Sequence, residues 1–282
     1  MGSLRRLVLN NIVNCRDLGG YVCEKGITEF GKFLRCGIPA TPTSDDIVEI
    51  MKYGVNTVID LRGDWECENQ PSVFQFIESI NYHHVCLFEI NAAISAQFDG
   101  TLEKSYELSI EEYKDRYAKV LRLIADAPEG CILFHCFFGK DRTGMLTAIL
   151  LSIAGAEKED IIADYQVSYT YIKSFIEREK NNPDGNIWDN DETNYLSNPG
   201  TIISLMNYID KKYGSVDGYL KEIGIDETTK QKIKARFFLT FRKGKNRERK
   251  NQQKARKIKA SVVSEQYSHY NNPYRVKRYS RN

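Results

Sequence analysis

The chain has 282 residues, of which 41% are apolar and 28% charged, and its formal net charge is +2. These values are typical of an ordinary globular protein and leave room for one large domain with an appendage. No apolar run approaches the roughly 18 residues that cross a bilayer, and the interrupted apolar stretch at the N-terminus predicts no signal peptide. The seven cysteines are odd in number and form no CxxC pair, so we expect no zinc site, no disulfide framework and a reducing, cytoplasmic location.

Short strands and one helix are predicted in the first quarter of the chain. In order, the patterns indicate an extended segment at 28–37, a helix at 41–54 and a strand at 55–62. Thr43 or Ser44 can cap the start of the helix, and Gly54 can end it. The β-branched residues of VNTVIDLR favour a strand in the interior of a sheet.

Helices dominate the rest of the chain. Apolar residues recur at helical spacing through 102–127, which predicts one or two amphipathic helices. GCILFHC (130–136) has the continuous apolar character of a central strand, and 143–155 is an apolar helix ended by Gly155. Further patterns predict helices at 157–177, 201–214, 214–224 and 226–243, with a polar loop at 181–200. Strands alternating with helices, followed by helices alone, predict an α/β fold with a central, mostly parallel sheet flanked by helices and a helical C-terminal part.

The segment FHCFFGKDRTG at 134–144 contains the residues best suited to chemistry. It begins as a buried strand, turns through Gly139 and enters a helix near Arg142. Backbone N–H groups in such a turn point inward and lack partners, which makes a cradle for an oxyanion. Cys136 would lie at the base of this cradle, where the N–H dipoles and the helix N-terminus stabilise its thiolate.

Arg142, six residues after Cys136, can return to the mouth of the loop and bind two oxygens of a phosphate. Gly139 removes a side chain where the loop must curve, and Thr143 places a hydroxyl near the sulfur. A cysteine and an arginine at this spacing also arise by chance, but the accompanying His135 and the strand–loop–helix context argue against coincidence. The pattern predicts phosphoryl transfer by thiolate attack, a phosphocysteine intermediate and its hydrolysis.

HCFFGKDRTG resembles the active-site loop of the cysteine phosphatases, specifically the bacterial tyrosine/dual-specificity group of the tyrosine phosphatase superfamily, whose loop reads HCxxGKDRTG. Three further segments match the pattern of that group in order: NCRDLGGY at 14–21, VIDLRGDWECEN at 58–69 and KKYGSVDGYLKEIGI at 211–225. The resemblance covers residues 8–242 and implies a cysteine-dependent phosphatase domain there.

The resemblance also implies roles for the residues of the loop. Cys136 would be the nucleophile, Arg142 the phosphate clamp, Lys140 a second cation at the pocket mouth and Asp141 the general acid. Residues expected to bind substrate are Phe137, Phe138, Gly139, Lys140 and Thr143. His135 is expected to support the loop through backbone hydrogen bonds.

The general acid has alternatives. Many cysteine phosphatases use an aspartate on a separate loop upstream of the thiol, and residues 86–100 offer Glu89 and Asp99 there, without a convincing loop signature. In the group resembled, the aspartate inside the loop is proposed to be the acid, which favours Asp141. Its alternative role is that of a solvated residue or a partner for a neighbouring basic group.

The two aromatic residues of the loop are predicted to act differently. Phe137 can form a hydrophobic wall. Phe138 stands where the group commonly has a small residue, and it would either pack beneath the loop as core or narrow the pocket.

Several polar residues outside the loop are expected to be structural. Arg16, Asp17 and Arg62 lie in the matched segments and are predicted to form buried ion-pair scaffolding. His83 and His84 are adjacent in a predicted strand and would face opposite sides. We therefore predict no metal site, and the chemistry calls for no cofactor.

Residues 243–282 differ from the rest in charge. They carry 13 basic and two acidic residues, whereas residues 1–242 carry 27 basic and 36 acidic ones. We predict a solvated basic extension over 243–282. The functional alternative is electrostatic docking on an anionic membrane or RNA.

Together these features predict a cytoplasmic cysteine-dependent phosphatase that acts on phosphotyrosine proteins, with dual specificity implied by the group. Phosphoinositide hydrolysis is the alternative activity, favoured by Lys140 and the basic extension. A phosphate-binding pseudo-enzyme without turnover is the alternative of a different class.

Overall fold

The computed structural model describes residues 4–39, 41–181 and 195–238. The strands are β1 Arg16–Asp17, β2 Val22–Cys23, β3 Gly26–Ile27, β4 Phe33–Cys36, β5 Val55–Asp60, β6 Asn81–His84 and β7 Cys131–His135. The helices are α1 Ser44–Tyr53, α2 Asp64–Asn69, α3 Ala92–Ser95, α4 Leu102–Glu112, α5 Lys114–Asp126, α6 Asp141–Ala154, α7 Lys158–Lys180, α8 Pro199–Tyr213, α9 Val216–Glu222 and α10 Glu227–Phe238.

Five strands form the central sheet, in the order β1-β4-β7-β5-β6. β4, β7, β5 and β6 run parallel, and β1 pairs antiparallel with β4 at one edge. β2 and β3 form a separate antiparallel ribbon. β7 is therefore central, and its carboxyl end lies at the same side of the sheet as those of β4 and β5. In open parallel sheets this is the side where ligands bind.

The two faces of the sheet bury separate cores. Ile132 and Phe134 of β7 belong to the larger core, which includes residues of α4 to α10. Leu133, which points to the opposite face, belongs to the smaller core with Ile50 of α1 and Phe74. Side chains alternate between faces along a strand, so one short apolar strand supplies both cores.

Local sequence signals account for several of the helix ends. The Thr43 hydroxyl accepts a hydrogen bond from the Asp46 amide at 3.1 Å and caps α1, and Gly54 ends it with φ of 95°. Pro199 and Gly200 belong to α8, which therefore begins two residues before the predicted start at 201. A proline suits the first turn of a helix because it has no N–H to be satisfied there.

The predicted α/β fold with a mostly parallel sheet, flanking helices and a helical C-terminal part is confirmed. Residues 102–127 form two helices, which meet at Tyr113. α6 begins at Asp141, two residues before the predicted start at Thr143, because the Lys140 carbonyl already accepts a hydrogen bond from the Gly144 amide at 2.7 Å. The strand predicted at 55–62 ends at Asp60.

Within the described residues no helix is both long and apolar enough to cross a membrane. The same residues contain no group of three or more His, Cys, Asp or Glu placed to hold a metal ion. The predicted basic extension at 243–282 lies outside the described residues, as do the end of the helix predicted at 226–243 and most of the loop predicted at 181–200.

Candidate active site

The carboxyl end of β7 leads into a loop over residues 136–140 and from there directly into α6. β7 is buried along its whole length, and Cys136 follows it at 1% exposure. Asp141, Arg142 and Thr143 form the first turn of α6. The thiol therefore lies at the base of a strand-to-helix loop with a helix N-terminus beside it.

Three carbonyl groups of the loop face neighbouring segments of the chain. The Phe137 carbonyl accepts a hydrogen bond from the Ile38 amide at 2.7 Å. The carbonyls of Phe138 and Gly139 accept from Asn14 Nδ2 at 3.0 and 2.9 Å. The C=O and N–H of a trans peptide point in opposite directions, and the described residues contain no cis peptide. The N–H groups of these three peptides therefore face the opposite side of the loop, where they can bind an oxyanion.

Gly139 lets the loop pass close to β4. Its φ is +65°, and a Cβ at this position would lie 2.3 Å from the carbonyl oxygen of Cys36. A side chain here would push the loop off the strand. Glycine is thus required both by the left-handed conformation and by the close approach of two backbones.

The loop is held from behind by polar side chains. Arg35, fully buried in β4, donates from Nη2 to the Gly139 carbonyl at 2.7 Å. Asp164 of α7 accepts from Arg16 Nε at 2.8 Å and forms a second ion pair with Arg35. Asn14 has φ of 56°, a left-handed conformation that asparagine tolerates well. We call Asn14, Arg16, Arg35 and Asp164 the support cluster.

Charges in the support cluster compensate one another. Burial alone would raise the pKa of Asp164, but the charges of Arg16 and Arg35 and hydrogen bonds from Arg16 and Tyr21 outweigh it and hold that pKa below its ordinary value. Burial lowers the pKa of Arg35 to about 10. At neutral pH the cluster therefore contains one carboxylate between two guanidinium groups, which keeps both arginines aligned.

Arg142 is oriented by Glu66 of α2. Its Nη2 donates to Glu66 Oε1 at 2.9 Å, and its Nη1 pairs with Oε2. Glu66 Oε2 also accepts from the Gly63 amide at 2.8 Å, which fixes the carboxylate. Burial would raise the pKa of Glu66, but the charge and hydrogen bonds of Arg142 outweigh it and lower that pKa. A guanidinium has five N–H donors, so others remain beyond the two that Glu66 engages.

Asp141 begins α6, and its side chain keeps 29% exposure. The Tyr106 hydroxyl donates to Asp141 Oδ1 at 2.7 Å, and Lys140 Nζ lies 3.2 Å from the same oxygen. The carboxyl group is therefore held by two donors next to the loop while part of it stays accessible to solvent. A thiol, an array of N–H groups, a fixed guanidinium and an accessible carboxyl group are complementary to a phosphate ester.

A family model described as the tyrosine phosphatase family matches residues 7–239. The chain belongs to the tyrosine phosphatase family. A tyrosine-protein phosphatase of Nostoc commune is 27% identical over 219 residues, which cover 73% of this chain and 74% of the relative. The triple specificity protein phosphatase PtpB of Mycobacterium tuberculosis is 29% identical over 120 residues, which cover 36% of this chain and 42% of the relative.

A crystal structure of P. aeruginosa TpbA is similar with a TM-score of 0.31 and 17% identity, covering 51% of this chain and 80% of that chain. Membership of the family makes the chain a protein-tyrosine phosphatase, and its substrates are phosphorylated molecules.

The resemblance implied that Lys140 of this phosphatase is a second cation at the mouth of the pocket. In the structure its side chain is buried instead. It is 1% exposed, and its Nζ donates to the Leu196 carbonyl at 3.1 Å in addition to its contact with Asp141. A carbonyl and a carboxylate compensate for the desolvation of the ammonium group, so it can stay inside. Lys140 thus links the loop to the segment that precedes α8.

The loop phenylalanines pack inward. Phe137 is 8% exposed and its ring centroid lies 4.9 Å from that of Phe138. Phe138 also contacts Tyr195 at 5.5 Å and Phe175 of α7 at 6.3 Å between ring centroids. Phe138 is partly buried and packs against the small apolar cluster of Ile172, Ile176 and Tyr195. This packing favours the core role for Phe138, and the substrate contacts of both phenylalanines stay predictions.

Thr143 and His135 are buried residues on either side of the loop in sequence. Thr143 is buried, and its hydroxyl has no hydrogen-bond partner among the residues that the structure describes. His135 Nδ1 donates to the Cys136 carbonyl at 3.2 Å, since a carbonyl can only accept. Burial outweighs the attraction of Asp60 and lowers the pKa of His135 to about 4, so the ring is neutral at pH 7. This matches the supporting role expected for His135.

The two alternative acids have other partners. Asp99 accepts from the amide and hydroxyl of Thr101 at 2.9 and 2.6 Å and so stabilises the start of α4. The Glu89 carboxylate packs against Gly63. Within the described part of the chain, neither carboxylate forms a hydrogen bond or ion pair with residues 136–142.

The predicted scaffolding residues are buried. Arg16 pairs with Asp164, and Arg62 pairs with Asp60. Asp17 is buried as well, but its carboxylate accepts backbone N–H bonds, from Gly19 at 2.6 Å and Gly31 at 2.7 Å.

Sequence reasoning missed three residues that contact the loop or its side chains, Arg35, Glu66 and Tyr106, and also Asp164, which pairs with Arg35. Arg35 could have been noticed, because it is a charged residue within the otherwise apolar strand FLRC. Glu66 lies in the matched segment VIDLRGDWECEN. Tyr106 and Asp164 have no distinguishing local signal in their helices.

Proposed function

We propose that this phosphatase removes phosphate from phosphotyrosine in proteins through a phosphocysteine intermediate. The observation that supports the proposal is the loop at 136–142, in which anchored carbonyls leave peptide N–H groups on the opposite side, Cys136 begins the loop and Glu66 fixes Arg142 in the helix that follows. The names of the curated relatives, tyrosine-protein phosphatase among them, support phosphotyrosine as the substrate.

The reaction uses three side chains. The Cys136 thiolate attacks phosphorus, forming the S–P bond as the P–O bond to the tyrosine breaks. Asp141 gives its proton to the departing phenolate oxygen, and Arg142 binds two non-bridging oxygens throughout. Water then attacks the phosphocysteine, Asp141 takes a proton from that water, and the S–P bond breaks to release phosphate and thiolate.

The remaining loop residues bind the phosphate through their backbone. Peptide N–H groups around Phe138, Gly139 and Lys140 stabilise the negative charge that develops on the oxygens. The buried Thr143 hydroxyl is a donor for the Cys136 sulfur when the thiolate leaves. We assign this chemistry to a catalytic domain over 8–242. The seven free thiols of the chain are consistent with a reducing, cytoplasmic setting.

Hydrolysis of a phosphotyrosine peptide, a phosphoserine peptide and a phosphoinositide by wild type and Cys136→Ser tests the proposal. Wild type is expected to have its highest kcat/KM on phosphotyrosine. Cys136→Ser is expected to lose hydrolysis of every substrate while it still binds the phosphotyrosine peptide, because the cradle and Arg142 remain. Cys23→Ser, which removes a buried thiol in β2, is the matched control and keeps activity.

Each departure from this pattern has a defined meaning. A kcat/KM higher on the phosphoinositide than on the phosphotyrosine peptide would favour the alternative activity, phosphoinositide hydrolysis. A kcat/KM on the phosphoserine peptide comparable to that on the phosphotyrosine peptide would indicate dual specificity. Phosphate binding without hydrolysis by the wild type would make the chain a pseudo-enzyme. Hydrolysis retained by Cys136→Ser would contradict the phosphocysteine intermediate.

A further inference from the structure

Two buried tyrosine hydroxyls lie in a row behind Asp141. Tyr106 belongs to α4 and Tyr165 to α7, and each is 1% exposed. The Tyr106 hydroxyl lies 2.7 Å from Asp141 Oδ1, and the Tyr165 hydroxyl lies 2.9 Å from that of Tyr106. The two rings meet edge to face, with centroids 6.3 Å apart. Side chains from α4, α6 and α7 are thus linked by hydrogen bonds that end on the Asp141 carboxyl group.

The direction of the hydrogen bonds follows from chemistry. An ionised carboxylate can only accept, so the Tyr106 hydroxyl donates to Asp141 and is left with lone pairs that accept from Tyr165. Burial and the charge of Asp141 raise the pKa of Tyr106 well above its ordinary value, so the donor keeps its proton. The chain therefore runs Tyr165 to Tyr106 to Asp141, and each bond polarises the next.

The two oxygens of Asp141 have different surroundings. Tyr106 and Lys140 both reach Oδ1, whereas among the described residues no hydrogen bond reaches Oδ2. A carboxyl group whose Oδ1 is held in this way carries its proton on Oδ2. Since the side chain is partly exposed, Oδ2 is the oxygen that can meet a leaving group.

We propose that Tyr106, supported by Tyr165, is a positioning residue that orients Asp141 so that Oδ2 delivers the proton to the leaving oxygen. This inference rests on the proposed function, because it requires Asp141 to act as general acid. Filling the core explains the two rings but does not explain a hydroxyl chain that ends on the acid. Substitution by phenylalanine separates the two roles, because it keeps the ring and removes the hydroxyl.

The test is the dependence of kcat/KM on the leaving group for a series of aryl phosphates. An activated nitrophenolate departs without a proton, so Tyr106→Phe should hydrolyse that ester nearly as well as wild type. On unsubstituted phenyl phosphate the variant should lose about tenfold or more, a part of the 10²–10⁴ that general acid catalysis typically contributes. Tyr165→Phe should show the same trend with a smaller loss.

Tyr219→Phe is the matched control. It removes another buried hydroxyl from the same core, one that donates to the Ile110 carbonyl at 3.1 Å and does not contact Asp141. Its effect, if any, should be equal for all leaving groups. Thermal melting of each variant shows whether it is folded, and Tyr165→Phe carries the test if Tyr106→Phe does not fold.

Asp141→Asn separates failure of the inference from failure of the proposed function. It should lose activity sharply on phenyl phosphate and far less on the nitrophenyl ester. Suppose that Asp141→Asn shows this selectivity, but the folded Tyr106→Phe or Tyr165→Phe loses activity equally on both esters or on neither. The positioning role of the tyrosines would then be wrong, while Asp141 would remain the general acid. If Asp141→Asn itself loses activity equally on both esters, Asp141 is not the acid and the positioning role falls with it.

Discussion

Arg142 is held in one orientation by Glu66, a residue 76 positions earlier in the chain. The carboxylate accepts from both terminal nitrogens, so the long arginine side chain loses its rotational freedom on folding and not on binding phosphate. Preorganisation of this kind strengthens binding without adding any contact to the ligand. Glu66 is thus a positioning residue for the phosphate clamp.

Glu66→Gln should therefore weaken the clamp. The amide keeps one acceptor but loses the charge, and we expect kcat/KM on an aryl phosphate to fall by about 10- to 150-fold, which corresponds to the roughly 1.5–3 kcal/mol of a charged hydrogen bond. Because the phosphate clamp acts on bound substrate as well as on the transition state, affinity for inorganic phosphate as an inhibitor should fall too. Steady-state kinetics and phosphate inhibition measure both effects.

Glu68→Gln provides the control for this substitution. Glu68 lies on the same helix, α2, and its side chain is exposed. It should behave as wild type in both measurements. A Glu66→Gln variant with unchanged phosphate inhibition would show that Arg142 does not need the pair.

At the scale of elements, the support cluster ties β1, β4 and α7 to the loop. Asp164 on α7 accepts from Arg16 and Arg35, and Arg35 in turn holds the Gly139 carbonyl. Removing one member of a buried ion pair leaves uncompensated charge, which typically costs about 3–5 kcal/mol. The loop's shape is therefore maintained by charge balance within the folded domain.

Asp164→Asn should lower the free energy of unfolding by about 3–5 kcal/mol at pH 7. Because the folded pKa of Asp164 lies below its unfolded value, its contribution is complete above about pH 4–5 and is lost as the pH falls through the folded value. The stability difference between wild type and variant should therefore shrink in acid. Urea unfolding at several pH values measures both the size and the trend.

Asp210→Asn is the control, because Asp210 on α8 is exposed and lies 4.0 Å from Lys158. Exposed pairs contribute about 0–1 kcal/mol, so this variant should remain close to wild type. A loss for Asp164→Asn no larger than that of the control, or one independent of pH, would contradict the role given to the support cluster.

The elements that the sequence predicted well have local signals. The Thr43 cap and Gly54 set the ends of α1, and Gly155 with φ of 87° ends α6. β1, β2 and β3 have two residues each and went unpredicted, because they are defined by their partners and not by a pattern of their own. The boundary between α4 and α5 at Tyr113 has no signal in the sequence, because apolar residues recur at helical spacing across it.

The candidate site also combines residues with a local sequence signal and residues that only distant contacts bring into place. Cys136 and Arg142 are six positions apart, so their spacing could single them out as candidates, whereas the role of Asp141 between them came from the resemblance. Their partners lie far away in sequence. Tyr106 is 35 positions from Asp141, and Glu66 is 76 positions from Arg142. Single-sequence patterns do not report such contacts, since only the topology of the sheet and helices brings them together.

At the scale of the whole molecule, α10 closes the larger core. Ile233 and Phe237 are buried in it, and Phe237 meets Phe33 of β4 at 4.5 Å between ring centroids. Arg236 donates to the Ile124 carbonyl at 2.8 Å and the Pro128 carbonyl at 3.0 Å. α10 is therefore an integral part of the larger core.

A chain truncated after Arg242 should fold and hydrolyse a small aryl phosphate with unchanged kcat/KM, because it retains both cores and the loop. Binding to vesicles of anionic lipid, compared between the truncated and full chains, tests the alternative role of 243–282, electrostatic docking. Under that alternative, truncation should abolish vesicle binding, because the segment carries 13 basic and two acidic residues. Equal binding by both chains would contradict that role.

Truncation after Ile225 is the contrasting case. It removes α10 and leaves the positions of Ile233 and Phe237 empty, and losing a large buried side chain typically costs about 2–5 kcal/mol. This shorter chain should not give a cooperative thermal transition. If it melts as the full chain does, α10 is not part of the folding unit.

α7 carries Asp164 and Tyr165 as consecutive residues, and they serve different parts of the site. Asp164 faces the arginines behind the cradle, and Tyr165 faces the hydroxyl chain that ends on Asp141. A rotation of α7 by one residue, about 100°, would remove both sets of contacts together. Chimeras with relatives are therefore constrained: an exchanged α7 must be transferred together with β1, β4 and α4, because those elements carry the side chains that its two residues meet.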